Sequence, residues 1–442
     1  MTLNVRPRAA GFIAGRALSL LLGLTLLGGC GQSSPGTSLG QGATLRQAER
    51  QLTGRTILRR AAGIDHGTFL QWLGKQGLQE VRHLPELGAS VVVGRATGSW
   101  PRAWVSHAEP ERSRRLVRPT VANPRVRVSL PARTLAGLGD PLAPQQWALA
   151  TLGARQAWSI TRGSEAVVVA VIDTGVDLGH PDLRTRLVAG INTLPDARTP
   201  GQEGPVGPAD DNGHGTHVAG IIAAEGDNGQ GISGLAPGCR IMPVKVLAGD
   251  TTGRDADVAA GIIWAVQHGA RVLNLSLGGA GGSRLLADAI TMAHAQGALV
   301  VSAMGNDGMD PMLGDEPNYP AALPESLAVG ATGQTDEVAA FSNRGRWMSV
   351  AAPGEGILST TPTYPVYDPV SPDYDYLDGT SMATPYVSAA AALAWSTRPD
   401  LSATAIKDRI ERTSVDIAAS GFDRMSGHGR LDVAHLLQSL RQ

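Results

Sequence analysis

From residue 140 to the C-terminus, short apolar runs alternate with segments of helical periodicity. The run at 166–172 is continuous and rich in β-branched residues, which is typical of a strand buried on both faces. Further strands are predicted at 241–246, 272–276 and 299–302, and helices at 214–224, 258–266, 285–295 and 381–394. This order predicts a parallel sheet with helices on both faces and a functional site beyond the carboxyl ends of the strands.

Three polar side chains stand at the ends of these predicted elements. Asp173 directly follows the first strand, His214 begins a helix within Gly-His-Gly-Thr-His, and Ser381 opens the longest helix within Gly-Thr-Ser-Met-Ala. A serine hydroxyl reacts only when a base takes its proton, and a carboxylate orients that base and stabilises its charged form. The three residues are therefore candidates for a nucleophilic triad.

These sequences occur in the order Asp, His, Ser, and each resembles a signature of the subtilisin-like serine proteases. The stretches Asn-Leu-Ser-Leu-Gly-Gly at 274–279 and Ala-Met-Gly-Asn at 303–306 are similar to the family as well. The resemblance implies an α/β, three-layer subtilisin-like fold with a central, mainly parallel sheet in a catalytic domain at 140–442. It also implies a serine endopeptidase with Ser381 as nucleophile, His214 as general base and Asp173 as orienting carboxylate.

The resemblance extends to residues that would bind the substrate. Asn306 is similar to the side chain that donates a hydrogen bond to the oxyanion, with the backbone N–H of Ser381 as second donor. Asp307 would line the floor of the primary pocket, where a carboxylate favours basic side chains. Two strands that would flank an extended peptide are implied at Ser276, Leu277 and Gly278 and at Thr252 and Gly253. Binding by strand addition predicts broad specificity for protein or peptide substrates.

The resemblance also implies structural calcium (Ca2+). Asp182 is similar to a family ligand, and the loop at 227–232 (Asp-Asn-Gly-Gln-Gly-Ile) lies where the family binds calcium. Hard oxygen donors from separate segments suit this ion. The implied ligand set, with Gln145 as an alternative to the last member, is Asp182, Asn228, Gln230, Ile232 and Gln146. A solvated loop without a cation is the alternative interpretation.

The N-terminus has the features of an export signal. Three arginines precede an apolar run of eleven residues at 17–27, which is too short to span a bilayer. The run ends in Leu-Gly-Gly-Cys, which resembles a bacterial lipobox and predicts lipidation of Cys30. We assign 1–30 to a signal peptide and the Gly- and Ser-rich segment 31–43 to a flexible tether. We expect a secreted or cell-envelope protein, anchored to the membrane through Cys30 alone; an ordinary signal peptide is the alternative.

Charge divides the rest of the chain into two units. Residues 31–133 carry a net charge of +10 and residues 134–442 carry −14, although the whole chain is at −1. The opposite signs predict that the basic unit binds the acidic unit rather than nucleic acid. By size and position, residues 44–133 resemble the family's inhibitory propeptide, a small α+β domain, and we expect its removal near residues 131–140. We expect the protein to be a monomer.

Other kinds of site fit the sequence less well. His214 and His217 have the spacing of metal ligands on a helix, but no third ligand follows at a suitable distance along the chain. Gly-Ala-Gly at 279–281 follows a predicted strand, but the third glycine of a dinucleotide fingerprint would fall at Arg284. The alternative function is a catalytically silent, lipid-anchored binding or inhibitory protein on the same fold, although neither a triad residue nor Asn306 is missing.

Overall fold

The computed structural model describes residues 52–94, 100–117, 120–121, 139–194 and 207–441, all within one compact unit, Gly40–Gln442. The predicted signal peptide, Cys30, the tether and residues 122–138 lie outside the described residues. Within the described ranges, no helix is both long enough and apolar enough to cross a membrane.

The N-terminal unit is an antiparallel sheet with a helix on one face. Its elements are β1 (Leu52–Arg60), α1 (His66–Lys75), β2 (Gln79–Leu84), β3 (Ala89–Val93) and β4 (Val105–Leu116). Helix α1 begins after Asp65, whose side chain accepts a hydrogen bond from the N–H of Thr68 at 2.9 Å. The helix and the sheet share a small apolar core made of Leu58, Phe69, Trp72, Leu73, Leu78, Val92 and Val105.

The rest of the described chain supplies the larger part of the fold. Its strands are β5 (Thr120–Val121), β6 (Val168–Asp173), β7 (Ile191–Asn192), β8 (Arg240–Lys245), β9 (Thr252–Arg254), β10 (Ala270–Leu275), β11 (Leu277–Ala280), β12 (Leu299–Ala303), β13 (Asn318–Tyr319), β14 (Ser326–Thr332), β15 (Val350–Pro353), β16 (Ile357–Thr360) and β17 (Tyr374–Asp378). Its α-helices are α2 (Trp147–Thr151), α3 (Ala154–Trp158), α4 (His214–Ala223), α5 (Asp255–Gln267), α6 (Arg284–Ala295), α7 (Thr380–Thr397), α8 (Ala403–Thr413) and α9 (Val433–Ser439).

A parallel sheet of seven strands lies at the centre, in the order β15-β14-β12-β10-β6-β8-β7. Successive residues of β6 face different cores because side chains alternate along a strand. Val169 and Val171 pack in a core with helices α4 and α7, whereas Ala170 and Ile172 pack in a core with α5 and α6. Helices thus cover both faces, and the predicted three-layer α/β fold with a parallel sheet is confirmed.

Strand β4 extends beyond the N-terminal unit. Its first part pairs with β1, and its last residues then pair with β9 on one side and with β11 on the other. Arg115 lies opposite both Thr252 of β9 and Gly278 of β11, so β4 fills the space between these two strands. Past Val117, the chain reappears as β5, which pairs with β17, the strand just before helix α7.

Candidate active site

Asp173 and His214 meet at the carboxyl end of β6. The imidazole Nδ1 of His214 lies 2.8 Å from Oδ1 of Asp173, and both side chains are almost fully buried. Two glycines beside His214 allow this approach. Gly213 precedes helix α4 with a φ of 111°, and a Cβ on Gly215 would lie 2.0 Å from a backbone oxygen of Gly175. The Nδ1–H of His214 can therefore donate to the carboxylate and leave Nε2 as the basic nitrogen.

Asp210, a residue that the sequence analysis missed, holds the start of helix α4 in place. Its Oδ1 accepts hydrogen bonds from the hydroxyl of Thr174 and the N–H groups of Asn212 and Gly213. Its Oδ2 accepts from both the N–H and the hydroxyl of Thr216. This buried carboxylate ties the end of β6 to the helix that carries His214. The run Asp-Asp-Asn-Gly before His214 was the available signal, since Asp and Asn cap helix starts.

His217 lies one turn after His214 and does not act as a second base. Its Nε2 donates to the backbone oxygens of Ile357 and Asp375, at 3.1 and 3.2 Å. Burial and the neighbouring His214 lower the pKa of His217 to about 3, so this ring stays neutral at neutral pH.

Ser381, at the start of α7, is fully buried. Its Oγ lies 3.0 Å from the backbone oxygen of Ser276 and 3.2 Å from that of Val117, each of which can accept its proton. The Nε2 of His214 has no hydrogen-bond partner among the described residues. The structure thus joins Asp173 to His214 but gives no hydrogen bond between His214 and Ser381.

Asn306 faces the beginning of the same helix. Its Oδ1 accepts hydrogen bonds from both the N–H and the hydroxyl of Thr380, each at 2.9 Å. These contacts fix the orientation of the side-chain amide of Asn306, in which Nδ2 is the hydrogen-bond donor. A Cβ on Gly379 would lie 3.0 Å from that nitrogen, so glycine keeps the space beside it open. Asp307 is exposed, and its N–H donates to Oδ1 of Asn343 at 2.6 Å; its place in a primary pocket stays a prediction.

The residues predicted to bind substrate line a groove that β4 occupies. Leu277 and Gly278 lie opposite Leu116 and Arg115, and Thr252 and Gly253 lie opposite Arg115 and Arg114. Ser276 precedes β11, and its hydroxyl donates to the backbone oxygen of Ser381 at 2.9 Å. An extended segment of this chain therefore lies between the two implied substrate strands and leads to Ser381.

Asp182 is fully buried, and the groups that donate to its carboxylate are neutral. They are the side-chain amide of Asn228, the backbone N–H of Ile232 and the hydroxyl of Tyr374, at 2.9, 3.0 and 2.9 Å. A buried carboxylate without a basic partner is costly, and a bound cation would stabilise it. Calcium takes oxygen ligands, however, and the amide of Asn228 and the backbone of Ile232 present N–H groups to Asp182, so calcium at this site stays a prediction.

Asp140 is a second carboxylate at this loop and was missed by the sequence analysis. It accepts the N–H groups of Asp227, Asn228 and Gly229, and burial raises its pKa. Asn228 thus bridges Asp140 and Asp182, which brings two negative charges to one loop.

The other implied ligands of the loop differ in their surroundings. Gln146 exchanges two hydrogen bonds with the backbone of Ser233, so its Oε1 already has a donor, and Gln230 is exposed. Their roles as ligands stay predictions.

A separate cluster of possible metal ligands lies in the N-terminal unit. The carboxylate of Glu80 lies 2.9 Å from Nε2 of His66 and 3.6 Å from Nδ1 of His83, and the two imidazoles stack. A register shift between Glu80 and Arg82 places Glu80 and His83 on the same side of β2. The sequence alone does not indicate this cluster.

A serine hydroxyl, a buried His–Asp pair and a side-chain amide, gathered beyond the carboxyl end of a parallel sheet, define a serine hydrolase of α/β architecture. The model of the subtilase family matches residues 164–429. Thermitase from Thermoactinomyces vulgaris is 41% identical over 283 residues, which cover 64% of this chain and 93% of thermitase. The chain belongs to the subtilase family, a family of serine endopeptidases.

Fervidolysin from Fervidobacterium pennivorans resembles more of the chain. It is 37% identical over 358 residues, and this chain spans 50% of its length. Its crystal structure, described as that of a keratinolytic enzyme related to subtilisin, matches with a TM-score of 0.75 and 31% identity, and covers 88% of this chain and 61% of fervidolysin. Residues 140–442 alone could not supply a coverage of 88%, so the similarity includes part of the N-terminal unit.

Proposed function

We propose that the protein hydrolyses peptide bonds, with Ser381 as nucleophile, His214 as general base and acid, and Asp173 as the carboxylate that orients His214. One observation supports this most strongly. An extended segment of the chain, β4, fills the groove between β9 and β11 and brings the carbonyl of Val117 to Oγ of Ser381. A peptide that pairs with two edge strands and ends at a serine hydroxyl is in the position of a protease substrate.

The proposed reaction begins with attack of Oγ of Ser381 on the scissile carbonyl carbon. Nε2 of His214 takes the hydroxyl proton, and Asp173 stabilises the imidazolium through its contact with Nδ1. The carbonyl becomes an oxyanion, to which Nδ2 of Asn306 and the N–H of Ser381 donate. His214 then protonates the leaving amine. Water then attacks the acyl group on Ser381. His214 takes a proton from this water and returns it to Oγ of Ser381, which leaves as the acid product is released. The hydrogen bond between Ser381 and His214 is expected to form in the reacting complex.

We propose that residues 44–133 form an inhibitory propeptide that the enzyme removes from itself. Three pieces of support are the pairing of β4 in the groove, the net charges of +10 and −14, and the contact of Val117 with Ser381. The register favours a first cut between Val117 and Arg118, because the carbonyl of Val117 faces the hydroxyl of Ser381. The junction predicted near 131–140 falls mostly outside the described residues and would then be a second, trimming cut.

We further propose that the protein is exported, that Cys30 carries a lipid in the precursor, and that one or more calcium ions bind near Asp182. The sequence 1–30 supports export, and the cation is supported by the burial of Asp182, whose carboxylate has no basic partner among the described residues. The calcium would be structural: it would join the loop at 227–232 to the segment that carries Asp182.

The decisive experiment is a casein assay on purified protein with and without a serine-directed inhibitor. Wild-type protein should hydrolyse casein and lose this activity with the inhibitor or with Ser381→Ala. Asp288→Asn, which changes a carboxylate on α6, is the control and should keep the activity. Hydrolysis that survives in Ser381→Ala would contradict the assignment of the nucleophile. A folded wild-type protein without activity would favour the silent binding protein instead.

A further inference from the structure

One arginine of β4 is fully buried where the strand lies between β9 and β11. Arg114 of β4 lies opposite Gly253 of β9, and its side chain is fully buried. Its Nε donates to Oδ1 of Asp255 at 2.6 Å, and the Asp255 side chain is buried to the same degree. A buried guanidinium is costly unless its charge and its donors are satisfied.

Residues in two parts of the groove supply hydrogen-bond acceptors for the side chain of Arg114. Asp255, the first residue of α5, supplies the charge, and its second oxygen accepts the backbone N–H of Arg112 at 3.2 Å. The two terminal nitrogens of Arg114 donate to backbone oxygens of Gly279 and Gly281, at 3.2 and 3.1 Å. One carboxylate and two carbonyls thus surround the planar fork of the guanidinium, which is a geometry that lysine does not match.

The position of this contact relative to the reacting bond follows from the register. Val117 presents its carbonyl to Ser381, and Arg114 stands three residues earlier in the chain. A substrate that binds as β4 does would place its fourth residue before the scissile bond against Asp255.

We infer that the substrate groove contains an arginine-selective subsite, in which Asp255 recognises an arginine at the fourth position before the scissile bond. The inference rests on the proposed function and replaces the expectation of broad specificity at this one position. A leucine there would leave the carboxylate of Asp255 buried without a basic partner, and a lysine would satisfy the charge but not the two carbonyls. The subsite also explains how the enzyme recognises its own N-terminal unit, which carries Arg114.

The test uses mature enzyme and peptides with the sequence of residues 113–117 followed by a common leaving segment. Only the position of Arg114 varies, as Arg, Lys or Leu. We expect kcat/KM to be about 10- to 100-fold higher with Arg than with Leu, as for a lost hydrogen-bonded charge, with Lys in between. Asp255→Asn, which keeps the shape and removes the charge, should bring the Arg-to-Leu ratio close to one.

One control variant separates the subsite from general effects of charge removal. Asp288→Asn removes the same charge from α6, where Asp288 contacts Arg59 rather than the groove, and should keep the wild-type ratio. A ratio near one in wild-type enzyme would overturn the inference, and so would a ratio that Asp255→Asn leaves unchanged. The comparison of peptides on wild-type enzyme does not depend on the folding of any variant. Failure of the proposed function would look different, because neither peptide nor casein would then be hydrolysed.

Discussion

The backbone carbonyl oxygen of Val117 lies 3.2 Å from Oγ of Ser381, at the point where the N-terminal unit leaves the groove. The strand before Val117 is paired on both sides, and the chain after it pairs again as β5 with β17. The carbonyl of Val117 is therefore the one that the neighbouring strands present to the serine hydroxyl. Under the proposed function, this contact would block the active site until the chain is cut.

Self-processing predicts the fate of this bond. Wild-type protein expressed in a protease-deficient host should yield a first product whose N-terminal residue is Arg118, which N-terminal sequencing at early times would detect. Ser381→Ala should remain a full-length precursor, because loss of a serine nucleophile lowers turnover on the order of a million-fold. Normal maturation of Ser381→Ala in that host would contradict self-processing, and a first N-terminus at 131–140 would contradict the Val117 site.

Asn306→Ala tests the oxyanion donor. The fixed orientation of the amide by Thr380 leaves Nδ2 to act on charge that exists only beyond the ground state. We expect kcat on casein-derived peptides to fall by about 100- to 1,000-fold, with little change in KM. Steady-state kinetics would separate the two constants. An unchanged kcat would remove Asn306 from the site, whereas a rise in KM alone would indicate a role in substrate binding.

Calcium should stabilise the mature enzyme. A ligand that binds the native state alone raises its stability by mass action, so a chelator should lower the thermal midpoint. Asp182→Ala should lose this sensitivity to chelator. Asp227→Ala is the matched control, because Asp227 lies in the same loop but is exposed and pairs with Arg162. Equal midpoints with calcium and with chelator in the wild-type enzyme would contradict the calcium site.

Much of the catalytic part could be predicted because its chemistry stands at the ends of strongly patterned elements. The run before Asp173 is apolar throughout, and the predicted strand 166–172 became β6, Val168–Asp173. The predicted helix 381–394 is α7, Thr380–Thr397, and it continues through Pro385. Each of these elements is a long, nearly continuous stretch of buried residues, which its sequence pattern makes visible. The residues at the ends of these elements could therefore be located from the sequence.

Strand β4 could not be predicted, because its sequence is polar. Val-Ser-His-Ala-Glu-Pro-Glu-Arg-Ser-Arg-Arg-Leu has no apolar alternation, and its strand character comes from partners far along the chain. Arg114 and Asp255 are 141 residues apart, and no local sequence pattern indicates that they form an ion pair. The contact between Glu80 and His83 could not be predicted either, because the two residues lie on the same side of β2 only through a shift in the pairing register.

The membrane should hold the precursor and release the mature enzyme. A lipid on Cys30 belongs to the propeptide side of either cleavage site, so cleavage leaves a non-covalent complex of oppositely charged parts. Its long-range attraction should weaken as salt rises. In fractionated cells, Ser381→Ala precursor should be found with membranes and wild-type mature enzyme in the soluble fraction, while Cys30→Ala should make both soluble. Mature enzyme that stays on membranes after a high-salt wash would contradict release.

Glu111 predicts that the precursor is more stable in mild acid. This β4 residue is fully buried, its carboxylate lies 3.9 Å from Nε of Arg55, and it accepts a hydrogen bond from Thr53 at 3.1 Å. Burial and the negative charge of Asp257 raise the pKa of Glu111 from 4.5 to about 7, with Arg55 and Arg254 opposing the shift. Between these two values the folded precursor binds more protons than the unfolded chain, so stability falls as pH rises from about 4.5 to about 7 and then stays level.

The measurement is urea unfolding of the Ser381→Ala precursor at about pH 5, near the lower end of this range, and at about pH 8, above it. A shift of this size corresponds to a loss on the order of 3 kcal/mol between the two conditions. Glu111→Gln in the same background removes the ionisable group and keeps the acceptor for Thr53, so it should unfold at more similar urea concentrations at both pH values. Glu109→Gln, which changes another β4 carboxylate that accepts N–H groups of Arg284 and Leu285, should keep the pH-dependent loss. A pH-dependent loss of the same size in Glu111→Gln would show that other groups cause it.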